Sequence, residues 1–149
     1  FSDLETKKTL RKYFSTKKIN LKIISNKKNI GYTKSVNKGI KASKSKYVVI
    51  ANSDILVVDF WLDRLIRGVL SKKRVGIVGP LSNAASFQSV PEVYDKDGSL
   101  CCNEIPNGMN HKQFDKFIEN NSLNINPRID IINGFCHLIT RNLIKHSNI

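Results

Sequence analysis

The sequence contains no apolar run approaching the roughly 20 residues needed to cross a bilayer. Its opening, Phe1-Ser2-Asp3-Leu4-Glu5, has neither a basic n-region nor an apolar h-region, so no signal peptide is read there. An initiator Met is missing as well, which predicts a start inside a longer protein. Cysteine is scarce: Cys101, Cys102 and Cys136 make an odd count without a CxxC pair. Sequence neighbours do not easily bridge each other, and zinc needs better-spaced ligands, so neither a disulfide framework nor a zinc site is expected. His111, His137 and His146 are scattered and add no ligand cluster. Reduced thiols point to the cytoplasm. Acidic residues are also few, 12 against 25 basic ones, which leaves a net charge of +13.

What is present favours a folded domain. Forty per cent hydrophobic residues can build a core, and 149 residues suffice for one domain spanning 1–149. The charge is uneven: residues 1–74 carry 19 Lys+Arg against 5 Asp+Glu, residues 75–149 carry 6 against 7. Such a basic half can attract phosphates, nucleic acid or an anionic membrane face. A coding bias that enriches Lys, Asn and Ile is an equally open reading.

Helix-like and strand-like segments alternate, which favours an α/β layered fold. Ser2-Asp3-Leu4-Glu5 fits a capping box that opens a helix to about Phe14. Leu21 to Ser25 reads as a short strand, and Asn26 to Gly31 as a turn. Tyr32, Val36 and Ile40 recur every four residues, with Lys34, Lys38 and Lys41 opposite, so a helix is expected from about Tyr32 to Ser43. Tyr47-Val48-Val49-Ile50-Ala51 is apolar on both faces, the pattern of a central parallel strand. Asp59 is placed to cap a helix whose stripe is Leu62, Leu65, Ile66 and Val69. Val75 to Val78 reads as another buried strand, ended by Gly79-Pro80. Leu81 to about Asn110 lacks periodicity and reads mostly as loop. A helix over His111 to Glu119, a strand over about Ile129 to Ile139 and a last helix from Arg141 follow.

Two features can carry chemistry. Asn52-Ser53-Asp54 directly follows a buried strand, where ligands collect in open α/β sheets. A carboxylate there can hold a divalent cation, which neutralises a diphosphate. An Asp at a strand end is about as often a cap or turn residue. Asn29-Ile30-Gly31 and Asn37-Lys38-Gly39 form the second feature: Gly31 permits a tight turn, and the helix start after it offers N–H donors to a phosphate or hydroxyl. Close helix packing at Gly39 and a solvated Asn37 are the plainer explanation.

Together these pieces resemble a known family. Asn29-Ile30-Gly31-Tyr32, Asn37-Lys38-Gly39-Ile40-Lys41-Ala42, Tyr47-Val48-Val49-Ile50-Ala51-Asn52-Ser53-Asp54 and Trp61-Leu62-Asp63-Arg64-Leu65 stand in the order and spacing of the inverting GT-A glycosyltransferases of family 2. Val75-Gly76-Ile77-Val78-Gly79-Pro80, with the loop to Pro91, is similar to the family's next strand and loop. Ile132-Asn133-Gly134-Phe135-Cys136-His137-Leu138-Ile139-Thr140-Arg141 is similar to its strand beside the acceptor site. The resemblance covers roughly residues 19–146 and extends to bacterial rhamnosyltransferase-like members.

The resemblance implies a GT-A-like, Rossmann-like α/β fold: a mostly parallel sheet flanked by helices, incomplete at both ends. It implies inverting transfer of a sugar from a nucleotide-diphosphate sugar to a saccharide or lipid-linked acceptor. By residue, it makes Asp54 the carboxylate for a Mg or Mn ion and the donor diphosphate. Asn52 stands where the commoner D-x-D form has an acid, so one charge on the metal is lost. Ser53 would position the nucleotide, Asn29, Gly31 and Asn37 would lie near base or ribose, and Asn83 and Gly134 would line the donor–acceptor cleft. For Gly134 and Cys136 a close-packed strand core is an equal reading. The family's opening strand is expected upstream of Phe1, and its acidic segment with the general base beyond Ile149. None of Asp95, Asp97, Glu104 or Asp130 sits in that motif, so no catalytic base is assigned. The lysines of residues 7–46 could also rest the chain on the inner face of an anionic membrane. Two alternatives remain: a basic α/β module that binds nucleic acid, for which no recognition helix or aromatic RNA-binding strand is seen, and an inactive remnant of a transferase.

Overall fold

A computed structural model describes residues 4–15 and 21–147. The contacts divide the chain into two compact units, residues 1–44 and 45–149.

The first unit contributes two helices, α1 (Leu4–Ser15) and α2 (Tyr32–Ala42). Glu5 in the first turn of α1 and Lys12 in its last suit the helix dipole. The Ser2 cap expected from the sequence lies outside the described residues. α2 starts after Gly31, whose φ of +80° is a left-handed conformation that suits glycine. Its apolar positions bury unequally: Ile40 is buried, Val36 half-buried and Tyr32 57% exposed. Leu21 to Ser25 is not a strand. Leu21 and Ile23 are exposed, and a strand persists only when a neighbour takes up its N–H and C=O groups.

The second unit is built on three strands, β1 (Tyr47–Ala51), β2 (Ile77–Val78) and β3 (Cys136–Thr140), in the order β1-β3-β2. Both β1 and β2 pair antiparallel with β3. The described sheet is therefore not the mostly parallel one expected. β1 and β2 do run in the same direction, joined through α3 (Trp61–Leu70), as a crossover connection requires. The late strand β3 inserts between them. β1, expected as a buried central strand, is instead half-buried at the edge of the described sheet; apolar composition carries no information about the number or direction of a strand's neighbours.

The register sorts the side chains. Tyr47↔Thr140, Val49↔Leu138 and Ala51↔Cys136 share one face, and Val78 lies opposite Leu138 on the other side of β3. This face meets Leu65 and Val69 of α3 in a core where Leu138 is 0% and Cys136 1% exposed. Ile66 and Trp61 pack at its edge, whereas Leu62, expected in the stripe, is 40% exposed. Gly68 lets α3 come close to β2, since a Cβ there would lie 2.9 Å from Val78 Cγ1.

Three further boundaries differ from expectation. Asp59 does not cap α3: the N-cap position is Phe60, in the left-handed region, and Asp59 pairs with Lys112 at 2.9 Å. The strand expected over Val75 to Val78 shrinks to Ile77–Val78, and that over Ile129 to Ile139 to β3 alone. Ile129 and Ile131 are exposed because β3 leaves its ladder beyond Cys136, the partner of the last β1 residue, Ala51. The 81–110 stretch is loop, as expected, apart from a 3-10 turn at Ser86–Gln88.

α4 (His111–Asn121) opens on a full capping box. The Asn110 side chain accepts from the Lys112 and Gln113 N–H groups, and Gln113 accepts from the Asn110 N–H. Arg64 of α3 clamps α4 by a two-pronged bond to Asp115, at 2.6 and 3.0 Å. α5 (Arg141–His146) is capped by Thr140 and buries Ile144. Among the described residues no helix is long and apolar enough to cross a membrane.

Leu138, paired on both sides and fully enclosed, is the position where lost volume should matter most. Leu138→Ala should destabilise the chain by about 2–5 kcal/mol, read as a lower urea midpoint with an unchanged slope.

Candidate functional site

β1 ends at Ala51, yet the next residue stays anchored: the Asn52 N–H donates to the Phe135 carbonyl at 2.8 Å. The chain then turns at Ser53-Asp54. Asn52, Ser53 and Asp54 are all exposed, and among the described residues Asp54 enters no ion pair or side-chain hydrogen bond. Asp54 is not a helix cap, because α3 begins only at Trp61. A free carboxylate thus stands at the carboxyl end of a strand, the place where open α/β sheets take ligands.

The bond from Asn52 to Phe135 also brings Gly134, itself exposed, beside this turn. From there a series of hydrogen bonds leads into the long loop. The Asn133 side chain accepts from the Phe135 N–H (3.1 Å), and the Asn133 N–H donates to Gln88 Oε1 (2.6 Å). Gln88 Nε2 donates to the Pro80 carbonyl (2.7 Å), and the Ser82 N–H donates to the Gln88 carbonyl (3.0 Å). Gln88 is only 4% exposed, so both ends of its amide are used inside the fold.

Asn83 serves the same loop. Its Nδ2 donates to the Asn103 carbonyl (3.0 Å), and its own carbonyl accepts from the Asn103 N–H (2.8 Å) and side chain (3.0 Å). Asn103 is buried and ties in Glu92 as well, accepting from its N–H and donating to its carbonyl. The side chain of Asn83 is thus partly spent on loop structure. The sequence carries a signal for Asn133-Gly134, an Asn-Gly turn pair. It carries none for Gln88 or Asn103, which look like ordinary loop polar residues until their burial is known.

In the first unit, the Asn29 side chain accepts from the Gly31 N–H at 2.8 Å, a local turn that sets up the start of α2. No side chain caps that start and no acid lies in its first turn. Asn37 is half-buried in α2. A Cβ placed at Gly39 meets nothing within 4 Å, so close packing within the described structure is not what glycine serves there.

Two surface depressions of the second unit include no residue nominated from the sequence. One, about 680 Å³, is lined by Glu92, Tyr94, Asp95, Lys96, Asp97 and Cys101. Asp95 is already occupied there, accepting from the Asp97 and Ser99 N–H groups. The other, about 200 Å³, lies between α3 and α4 over the Arg64–Asp115 pair. The hydrogen bond to Asp115 pushes the Arg64 guanidinium above its ordinary value, and Lys116, then Arg64, hold the Glu119 carboxyl below its own. This is a charged clamp between helices.

Among the described residues no group of three or more His, Cys, Asp and Glu could hold a metal. Cys101, Cys102 and Cys136 are free thiols, and burial pushes the Cys136 thiol up. His137 on β3 is half-buried with its Nδ1 sealed and without a partner, and burial lowers its pKa from the ordinary value.

The family model described as Glycosyl transferase family 2 matches residues 1–146 of the chain. No curated protein and no solved structure matches it.

Asn103→Ala should destabilise the chain by about 1–3 kcal/mol, the cost of stranding the buried groups it bonds, with faster amide exchange at Glu92. Asn83→Ala should cost less. His137 gives a pH signature: below about pH 6.5 the unfolded chain takes up a proton that the folded chain resists. Stability should therefore fall as pH drops from about 7.5 to 5.5, and fall less in His137→Gln, measured by urea melts across that range.

Proposed function

The chain belongs to glycosyl transferase family 2, and from that premise we propose that it transfers a hexosyl or deoxyhexosyl group, as rhamnosyltransferase-like enzymes do, with inversion at the anomeric carbon. The family generally uses nucleotide-sugar donors and often divalent cations. The acceptor in this reading is a saccharide or lipid-linked hydroxyl. That hydroxyl oxygen forms a bond to the anomeric carbon as the bond to the diphosphate oxygen breaks. The nucleoside diphosphate departs, and the hydroxyl proton passes to a base not assigned in this chain.

The observation that carries the reading is the free Asp54 carboxylate on the turn after β1. A Mg or Mn ion fits such a place, since these ions commonly take one or two protein carboxylates and fill the remaining positions with substrate phosphate and water. Asp54 would hold the ion, Asn52 would offer a neutral oxygen, and Ser53 would orient the nucleotide. When bound, the cation supplies positive charge to the departing diphosphate. Asn29, Gly31 and Asn37 are assigned to the nucleotide because no side chain caps the start of α2 and no acid lies in its first turn. Asn83 and Gly134 are assigned to the donor–acceptor cleft, and the hydrogen-bond series through Phe135, Asn133 and Gln88 would keep them in place.

Calorimetric titration of UDP, dTDP and GDP with Mn²⁺ tests this directly. One nucleotide should bind in a metal-dependent way, and Asp54→Asn should weaken it at least about tenfold with unchanged circular dichroism. Asn52→Asp should tighten Mn²⁺ by restoring a second charge. A folded chain that binds none of the three nucleotides, or binds one regardless of Asp54, would overturn the assignment.

A further inference from the structure

The positive charge follows the structural division of the chain. Residues 1–44 carry 13 Lys+Arg against 2 Asp+Glu, a net +11, whereas residues 45–149 carry 12 against 10. Within that first unit, α1 has the form of an interfacial helix. Leu10, Tyr13 and Phe14 stand at i, i+3 and i+4 and share one face. Lys7, Lys8, Arg11 and Lys12 fall on the adjoining arc, and Glu5 is the helix's one acid. No residue of α1 is buried, and Leu10 is 37% and Tyr13 56% exposed. The Tyr13 and Phe14 rings meet edge to face at 5.3 Å, which makes one apolar knob beside four cations.

We propose that α1 lies in the surface of an anionic bilayer. In this arrangement Leu10, Tyr13 and Phe14 enter the acyl boundary, and Lys7, Lys8, Arg11 and Lys12 reach the lipid phosphates. The two halves of the face call for the same partner. A nucleic acid would answer the cations but leave the apolar stripe in water, whereas the bilayer interface takes both. Tyrosine suits the headgroup level, and long basic side chains extend from an apolar base to the charged surface. A 12-residue helix is about 18 Å long, too short to span, so it lies in the plane. The other lysines of residues 17–44 add attraction without insertion. This binding stands apart from the donor-site reading. If both hold, it delivers the transferase to the surface where lipid-linked acceptors reside.

The test is co-sedimentation of the full chain with vesicles of phosphatidylcholine containing about 30% phosphatidylserine, against phosphatidylcholine alone. Binding is expected with the anionic vesicles only. Lys8→Gln with Lys12→Gln should weaken it about fivefold per cation removed. Leu10→Ser with Phe14→Ser should weaken it at least tenfold, with nucleotide binding and circular dichroism unchanged. Should the apolar pair disturb α1, Tyr13→Trp supplies a second measurement: brominated lipid should quench the added indole emission beyond that of Trp61. No sedimentation with anionic vesicles overturns the proposal. So does binding that ignores Leu10 and Phe14, binding without quenching at position 13, or a preference for an oligonucleotide that survives the apolar substitutions.

Discussion

The second unit depends on β3 being paired on both sides. Its backbone satisfies β1 along Tyr47–Ala51 and β2 along Ile77–Val78, while Leu138 and Cys136 fill the space beneath α3. Because β1 and β2 do not touch each other, β3 is what makes one sheet of them. The insertion also decides where the ladder stops. Beyond Cys136 the chain has no β1 partner left, so Phe135 and Asn133 are released to bond with the Asn52 backbone and Gln88.

That release joins packing to the proposed site. The Asn52-Ser53-Asp54 turn hangs from the end of half-buried β1 and is pinned through Asn52 N–H to Phe135. The 80–103 loop is then fastened by two buried amides, Gln88 toward Asn133 and Asn103 toward Asn83 and Glu92. Buried amides can substitute for a ladder, since they satisfy backbone groups that a loop would otherwise leave to water. The result is a long loop without strands that still holds a set course beside the strand ends. Asp54, by contrast, is left unengaged, as a carboxylate must be if a cation and a diphosphate are to use it.

The units differ in electrostatics as sharply as in architecture. The second is nearly balanced and pairs some of its charges with each other, in Arg64–Asp115–Glu119 and Lys112–Asp59. The first carries the excess, with seven of its 13 Lys and Arg on α1 and α2, helices that bury little. Charge used within a fold contributes rigidity, and charge left on a surface acts on whatever approaches it.

The sequence by itself determined the family, the identity of the strand-end acid and the positions of most helices. These rest on local properties: a 3.6-residue apolar period, a strand apolar on both faces, and residue order from Asn29 to Leu65. It located β1 and α3, and it identified 81–110 as loop. What it missed depends on partners distant in the chain. A strand needs a neighbour, so neither Leu21 to Ser25 nor Ile129 to Ile131 forms a strand. Asp59 had two uses open to it and took the ion pair with Lys112 over the cap. Gln88 and Asn103 acquired their roles from burial, which no local pattern encodes. Tertiary structure alone decided that β3 enters between β1 and β2 and runs against both. The physical reason is that strand direction and order are set by which chains meet in space, while composition records only how buried each will be.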